Sequence, residues 1–128
     1  MTNLEIPPCG PERDRLVAEA VGWKEVSDGL GGTLWVDAAN KPTGYYSPNA
    51  MGKAGRPFRP SQSDADALAA LKAWKEQEIG RHVTVDIGHC VHVCLYEPDR
   101  FSAFGQAPTL RGAATAALVR WRNERSQS

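Results

Sequence analysis

Two seven-residue segments in the second half of the chain alternate between polar and apolar residues over most of their length, and they constrain the fold most. They are 81–87 (Arg-His-Val-Thr-Val-Asp-Ile) and 90–96 (Cys-Val-His-Val-Cys-Leu-Tyr). A period of two is typical of strands that bury one face. The apolar sets of both strands must share that face, because a slip of one residue would move a whole set into water. This requirement excludes a two-residue turn and predicts a three-residue loop, either 87–89 or 88–90.

The other face of this predicted hairpin would carry side chains of the types that act in catalysis and metal binding: His82, Thr84, Asp86, Cys90, His92, Cys94 and Tyr96. Cys90, His92 and Cys94 spread over about 13 Å along a strand, which is too far for one tetrahedral ion. We therefore predict no metal site and no cofactor, and we expect these side chains on a buried sheet face. A nucleophilic Cys90/His92 pair, as in a small hydrolase, is a further alternative, although no strained-turn motif accompanies it.

Three other segments have the apolar periodicity of helices. Helix one starts near Pro11 and ends at Gly22, helix two runs from about Asp64 to Ile79, and helix three follows Pro108. The apolar stripe of helix three consists of Leu110, Ala113, Ala114, Ala117, Leu118 and Trp121. Its alanines are small and predict a close approach to a sheet. Segment 101–106 is predicted to be a loop. An antiparallel hairpin among helices predicts an α+β fold, with a compact antiparallel sheet layered with about three helices.

The chain of 128 residues has the size of one domain. Residues 1–11 contain three prolines and are predicted to form an extended arm, followed by a single domain over 12–125. Its middle segment, 27–60, is rich in Gly, Pro and aromatic residues. Within it, 33–36 is a strand candidate to which Tyr45-Tyr46 could pair back as a hairpin; the alternative is a functional loop.

Composition excludes several classes of function. Lys and Arg number 15, as do Asp and Glu, so the chain lacks the basic excess that general nucleic-acid binding needs. No apolar run is long enough to span a membrane, and the first residues lack the pattern of a signal peptide. Three cysteines without framework spacing indicate free thiols in a reducing cytoplasm.

A candidate ligand site lies where the middle segment meets helix two. The predicted ligand-binding residues are Arg56, Phe58, Arg59, Ser61 and Ser63, with Tyr45, Tyr46 and Trp35 from the segment before them. Free N–H groups at a helix start bind anions, arginines add forked donors, and aromatic rings can stack a base. The alternative is a helix start capped by one of its serines, with solvated arginines and with aromatic residues that pack.

Three short motifs are the run 17–23 (Val-Ala-Glu-Ala-Val-Gly-Trp), the run 59–64 (Arg-Pro-Ser-Gln-Ser-Asp) that opens an Ala-rich helix with Trp74, and 107–114 (Ala-Pro-Thr-Leu-Arg-Gly-Ala-Ala). In these motifs the chain resembles the phage ABA-sandwich domain family. The resemblance implies a bacteriophage protein with a sheet between helical layers, in the cytoplasm of the host cell. It brings no catalytic motif to these positions.

We therefore expect an accessory protein that binds and sequesters a small, anionic, nucleotide-type ligand, such as a host immune signal; such a sponge would act against host defence. One alternative is a protein-interaction module that inhibits a host protein through the middle segment, and the Cys90/His92 hydrolase is another. The sequence has no P-loop, GxGxxG, HExxH or paired-carboxylate motif, so enzymatic activity has no positive signal. An exposed sheet edge could pair with a second copy, giving a homo-oligomer.

Overall fold

The computed structural model describes residues 6–27, 29, 33–46 and 56–126. The elements are α1 (Pro11–Ala20), β1 (Lys24–Ser27), β2 (Thr33–Val36), β3 (Pro42–Tyr46), β4 (Arg56–Pro57), α2 (Asp64–Glu76), β5 (His82–Ile87), β6 (Val91–Glu97), β7 (Arg100–Ala107) and α3 (Leu110–Ser126). The predicted α+β class with three helices is confirmed. The strands are divided between two sheets, where one was expected.

The first sheet has the strand order β1-β2-β3-β4. β2 and β3 form the predicted antiparallel hairpin, with Leu34 opposite Tyr46 and a register shift before Val36. Asn40 makes the turn with a positive φ of 65°. β1 adds an antiparallel strand that periodicity could not predict, because all four of its residues are exposed. β4 contributes two residues, parallel to β3.

The second sheet has the order β5-β6-β7 and is antiparallel throughout. Ile87 lies opposite Val91, so the loop consists of residues 88–90, one of the two predicted alternatives. The prediction of a loop at 101–106 is wrong, because β7 pairs along its length with β6. Its alternation is inverted: small residues such as Ala103 and Gly105 are buried while Phe104 is exposed.

Helix α3 covers the buried face of this second sheet at very short range. A Cβ added at Gly105 would lie 2.1 Å from the Ala113 carbonyl oxygen and 2.6 Å from the Ala117 amide nitrogen. Ala113, Ala114 and Ala117 are fully buried. The close approach predicted from the alanine stripe is therefore confirmed, and it depends on glycine in the strand as much as on alanine in the helix.

A buried arginine closes the end of the core next to β5. The guanidinium carbon of Arg81 lies 4.4 Å from the ring centre of Trp74 and 4.9 Å from that of Trp121. One Arg81 nitrogen donates to the Trp74 carbonyl at 2.9 Å, and another is 3.6 Å from the buried Glu97 carboxylate. Glu97 also accepts a hydrogen bond from Ser102 at 2.5 Å. This network joins α2, β6, β7 and α3.

Candidate functional site

The start of α2, where the anion site was predicted, is closed by its own side chains. The Ser63 hydroxyl accepts from the Asp66 amide at 3.2 Å and is the cap of the helix. Ser61 is buried; its hydroxyl accepts from the Gly10 amide at 2.9 Å. Its own amide donates to the Asp14 carboxylate at 2.7 Å. Both predicted serines therefore have structural partners.

Two carboxylates further disfavour an anion at this helix start. An Asp66 oxygen accepts from the Arg59 amide at 2.9 Å, and an Asp64 oxygen accepts from the Arg111 amide and guanidinium, both at 3.2 Å. Acidic side chains in the first turn already complement the helix dipole. A phosphate would meet these carboxylates, so the geometry favours the capped-helix alternative.

The predicted stacking residues of the first sheet are mostly core residues. Trp35 and Phe58 are 1% and 0% exposed, so neither offers a face to a ligand. Tyr45 is half-buried and lies 5.8 Å from the Trp23 ring in a stacked arrangement, while Phe58 lies 4.7 Å from Trp23. The packing alternative therefore describes this cluster. The side chains of Tyr46 and Arg56 lie outside the described part of the structure.

A cavity of about 460 Å³ lies beside this aromatic cluster, between the end of α1, the turn after β2 and the last turns of α2. Its lining residues are Val21, Trp23, Asp37, Ala38, Ala39, Thr43, Ala73, Glu76 and Gln77. The lining is largely apolar, and Asp37 and Glu76 are its charged members among the residues that the structure describes. Asp37 holds the turn by accepting from the Ala39 and Lys41 amides at 2.9 and 3.0 Å. Such a cavity disfavours phosphates and suits a neutral or cationic group.

The second sheet exposes its other face, which we call the open face: His82, Thr84, Asp86, His92, Cys94, Tyr96, Phe104 and Gln106. The expectation that this face is buried is wrong, because the helices pack against the opposite side. His82, Thr84 and Asp86 are exposed, and His92 and Cys94 are half-buried. Side chains that were expected from the sequence to be buried are therefore accessible to solvent.

Two pairs of rings cross the strands of the open face. His82 and Tyr96 are stacked, with ring centres 4.5 Å apart and planes 7° from parallel. His92 and Phe104 lie 6.0 Å apart with a 40° tilt. Phe104 is 38% exposed, and Tyr96 is half-buried. Flat rings partly open to water are suitable for stacking a planar ligand.

A cationic group borders the open face. Arg120 of α3 donates to the Phe104 carbonyl at 2.9 Å, and its guanidinium carbon lies 5.9 Å from the Phe104 ring centre. The Arg120 guanidinium can meet an anionic group attached to a stacked ring. Arg100 is exposed but lies opposite Glu97, 3.4 Å from its carboxylate, so its side chain belongs to the face that the helices cover.

The alternative of a Cys90/His92 nucleophile has no support in this geometry. Cys90 lies in the loop before β6, and no hydrogen bond joins it to His92 in the described residues. Within the same part of the chain, no group of three or more His, Cys, Asp or Glu could hold a metal ion. None of the helices described is both long and apolar enough to cross a membrane.

Two buried carboxylates have shifted pKa values for structural reasons. Burial raises the pKa of Asp14, and the hydrogen bonds from Ser61 only partly oppose this effect. Burial also acts to raise the pKa of Glu97, but the Ser102 hydrogen bond and the Arg125 charge outweigh it and hold the pKa below its ordinary value. Both groups hold elements together: Asp14 joins α1 to the loop before α2, and Glu97 joins β6 to its neighbours.

Sequence reasoning missed Phe104 and Arg120 and misjudged His82 and Tyr96. The two β-strand residues were assigned to the correct face, but that face was expected to be buried. The signal for Phe104 was present in the small residues at 103, 105 and 107, which alternate with larger ones as they would beneath a close helix. Comparison with protein-family models, with curated proteins and with solved structures finds no match to this chain.

Proposed function

We propose that the protein binds a ligand with a planar, nucleobase-type ring on the open face of the second sheet. The supporting observation is the stacked His82–Tyr96 pair on the same face as the partly exposed ring of Phe104. Together with the resemblance to the phage family, this favours a bacteriophage accessory protein that sequesters a nucleotide-type ligand in the host cytoplasm. The ligand site is thus proposed on the second sheet, away from the start of α2.

The size and charge of the face limit the class of ligand. Stacking on an aromatic side chain is worth about 1–3 kcal/mol per base, so two ring positions suit a mononucleotide or a dinucleotide. Arg120 can meet a phosphate at the border of the face. The chain has no net charge at pH 7, which is a poor basis for holding a long polyanion. A small nucleotide therefore fits better than a nucleic acid.

Binding without turnover fits the described residues. A hydrolase with a cysteine nucleophile needs a base within hydrogen-bond reach of the thiol, and the cysteines of this sheet have no such partner among the hydrogen bonds described. We expect the ligand to be released unchanged when the protein is denatured.

The first test is to incubate the purified chain with host-cell extract, wash it, denature it by boiling and identify any nucleotide released. Calorimetric titration with mononucleotides and cyclic dinucleotides then gives the affinity. Tyr96→Ala and Phe104→Ala should each weaken binding by about 5-fold to 150-fold, the equivalent of one stacking contact. Thr84→Ala, on the same face but without a ring, is the matched control and should bind like the unaltered chain.

Failure to release or bind any nucleotide would reject the proposal. Unchanged affinity in both ring variants would place the ligand elsewhere. Arg59→Ala separates the two locations, because it should weaken binding only if the ligand lies at the start of α2.

A second candidate is an interaction module that inhibits a host protein, and the cavity beside Trp23 favours it. Its apolar lining with Asp37 and Glu76 suits a lysine or arginine side chain of a partner. Ala73→Trp would fill the cavity, and shortening residues 40–55 would alter the middle segment. Both changes should abolish capture of a host protein without altering nucleotide affinity; capture that survives both would reject this candidate.

A further inference from the structure

Strand β5 is an edge of the second sheet and exposes apolar side chains. In the described part of the chain it pairs with β6 alone. Val85 is 41% exposed and Ile87 is 75% exposed. Protein edges are usually protected by lysine, proline or a bulge, and the apolar row Val83, Val85 and Ile87 has none of these.

The hydrogen-bonding groups of this edge also face outwards at those residues. The Gly88 amide donates to the Cys90 carbonyl at 3.0 Å, which continues the β5–β6 register by one pair. Hydrogen-bonded pairs alternate in an antiparallel ladder, so the even-numbered residues of β5 bond to β6. The N–H and C=O groups of Val83, Val85 and Ile87 therefore point to the free edge.

We infer that β5 pairs with β5 of a second copy of this chain, antiparallel and with Val85 on the two-fold axis. This register places Val85 opposite Val85 and Val83 opposite Ile87 of the second copy. Three outward-facing residues on each side would form about six main-chain hydrogen bonds in an ideal ladder. Both exposed apolar side chains would be covered.

The neighbouring register is less favourable. An axis at Thr84 keeps the faces matched but places Ile87 opposite Arg81, whose guanidinium is already held inside the core. With Val85 on the axis, the apolar residues Val83, Val85 and Ile87 of the two copies lie opposite one another, and on the other face Thr84 lies opposite Asp86 of the second copy.

Pairing would also join the open faces of two copies into one six-stranded surface, with a His82–Tyr96 stack on each side of the axis. The use of that surface for one extended ligand rests on the proposed function. The pairing itself does not, because it depends only on the edge, the exposed valine and isoleucine, and the register.

Sedimentation equilibrium of the full chain over a wide concentration range tests the pairing. We expect a reversible shift from 13.9 kDa to twice that mass as concentration rises. Val85→Lys and, separately, Ile87→Lys should hold the mass at one chain, because a charge on a paired edge opposes association. Thr84→Lys is the matched control on the same strand and should still dimerise, since its side chain lies on the other face near Asp86 of the second copy.

A single-chain mass at every concentration would overturn the inference, and so would dimers that persist in both edge variants. Using two separate edge positions, each checked by circular dichroism, protects the test against one misfolded variant. Nucleotide titration of Val85→Lys separates the two proposals. A monomer that still binds nucleotide shows that the site is intact without the pairing, whereas Tyr96→Ala should bind nucleotide more weakly and still dimerise.

Discussion

The two sheets differ in which face carries their aromatic residues: the first sheet directs them into the core, and the second directs them to the open face. In the first sheet Trp35 and the adjoining Phe58 are buried in the core, where Phe58 meets Trp23 and Tyr45. In the second sheet the buried positions next to α3 are small, and rings such as Phe104 lie on the open face. Aromatic content alone therefore does not locate a binding surface. The face that the helices cover determines which rings remain accessible.

The distance between helix and sheet explains this difference. At Gly105 the backbone of α3 leaves no room for a side chain, so larger residues of β7 must point the other way. The first sheet reaches the shared core through large side chains, as the full burial of Trp35 and Phe58 shows. Close packing favours small inward residues, and wider packing requires large ones.

The largest expected effect contrasts one ring from each sheet. Trp35→Ala should lower the free energy of unfolding by about 3–5 kcal/mol, because it leaves a large cavity in the core. Tyr96→Ala should lower it by about 1 kcal/mol or less, since its ring is half-buried and has water beside it. Equilibrium unfolding in urea measures both changes. Equal losses would contradict the assignment of Tyr96 to an open face.

The second effect concerns the network behind the second sheet. Glu97→Gln removes the charge that faces the buried Arg81 and should cost about 1–3 kcal/mol at neutral pH. The pKa of Glu97 is depressed in the folded chain, so its contribution is present above the ordinary value of about 4.5 and is lost as pH falls through the folded pKa. Unfolding curves should therefore show that the difference in free energy of unfolding between Glu97→Gln and the parent chain becomes smaller in acid.

A third effect tests whether the start of α2 is a cap or a ligand site. Ser63→Ala should destabilise the chain by about 1 kcal/mol, because the Asp66 amide loses its acceptor. Arg59→Ala should change the midpoint of thermal unfolding little, since its side chain is exposed, its charge is the smallest of the influences on the Asp14 carboxylate, and its amide bond to Asp66 is retained. Stabilisation of the parent by inorganic phosphate that disappears in Arg59→Ala would restore the anion site to this position.

The smallest effect concerns the bond between α1 and the loop before α2, and it has the opposite pH dependence to that of Glu97. Burial raises the pKa of Asp14, so its contribution is greatest below its ordinary value of 3.8 and is lost as pH rises through the folded pKa. Asp14→Asn keeps an acceptor for the Ser61 amide and removes this dependence. We expect Asp14→Asn to be equally or slightly more stable than the parent chain at neutral pH, and no more stable than the parent in acid. Thermal unfolding across that pH range measures both differences.

The sequence predicted much of the fold because its strongest patterns were local. The loop at 88–90 followed from face matching, and the helices followed from their stripes. β7 was missed because a helix at close range required Ala103 and Gly105 on the buried side, which inverts the usual alternation. β1 was missed because its residues are all exposed.

The candidate site was harder to predict because it depends on which face remains uncovered. Ser61 and Ser63 looked like free donors, but Ser61 bonds to α1 across 51 residues of sequence and Ser63 is the helix cap. The stacking of His82 on Tyr96 could be expected from their cross-strand pairing. Its accessibility depends on the absence of a covering layer over that face in the described structure. The alternation of polar and apolar residues in β5 is typical of a strand with one solvated face, but the Cys and His residues of β6 suggested that both faces were buried.

At Gly105 helix and strand meet backbone to backbone, and this contact also governs how the molecule can open. α3 cannot slide along β7 without a clash and cannot separate from it without wetting the alanines around Ala113. The amides of β6, β7 and the middle of α3 should therefore exchange with solvent hydrogen in one cooperative event. The exposed strand β1 has no comparable close backbone contact among the described residues, and its amides should exchange much earlier. The open face would then be carried on the most slowly opening unit of the chain, as a rigid surface on which two rings keep a fixed spacing.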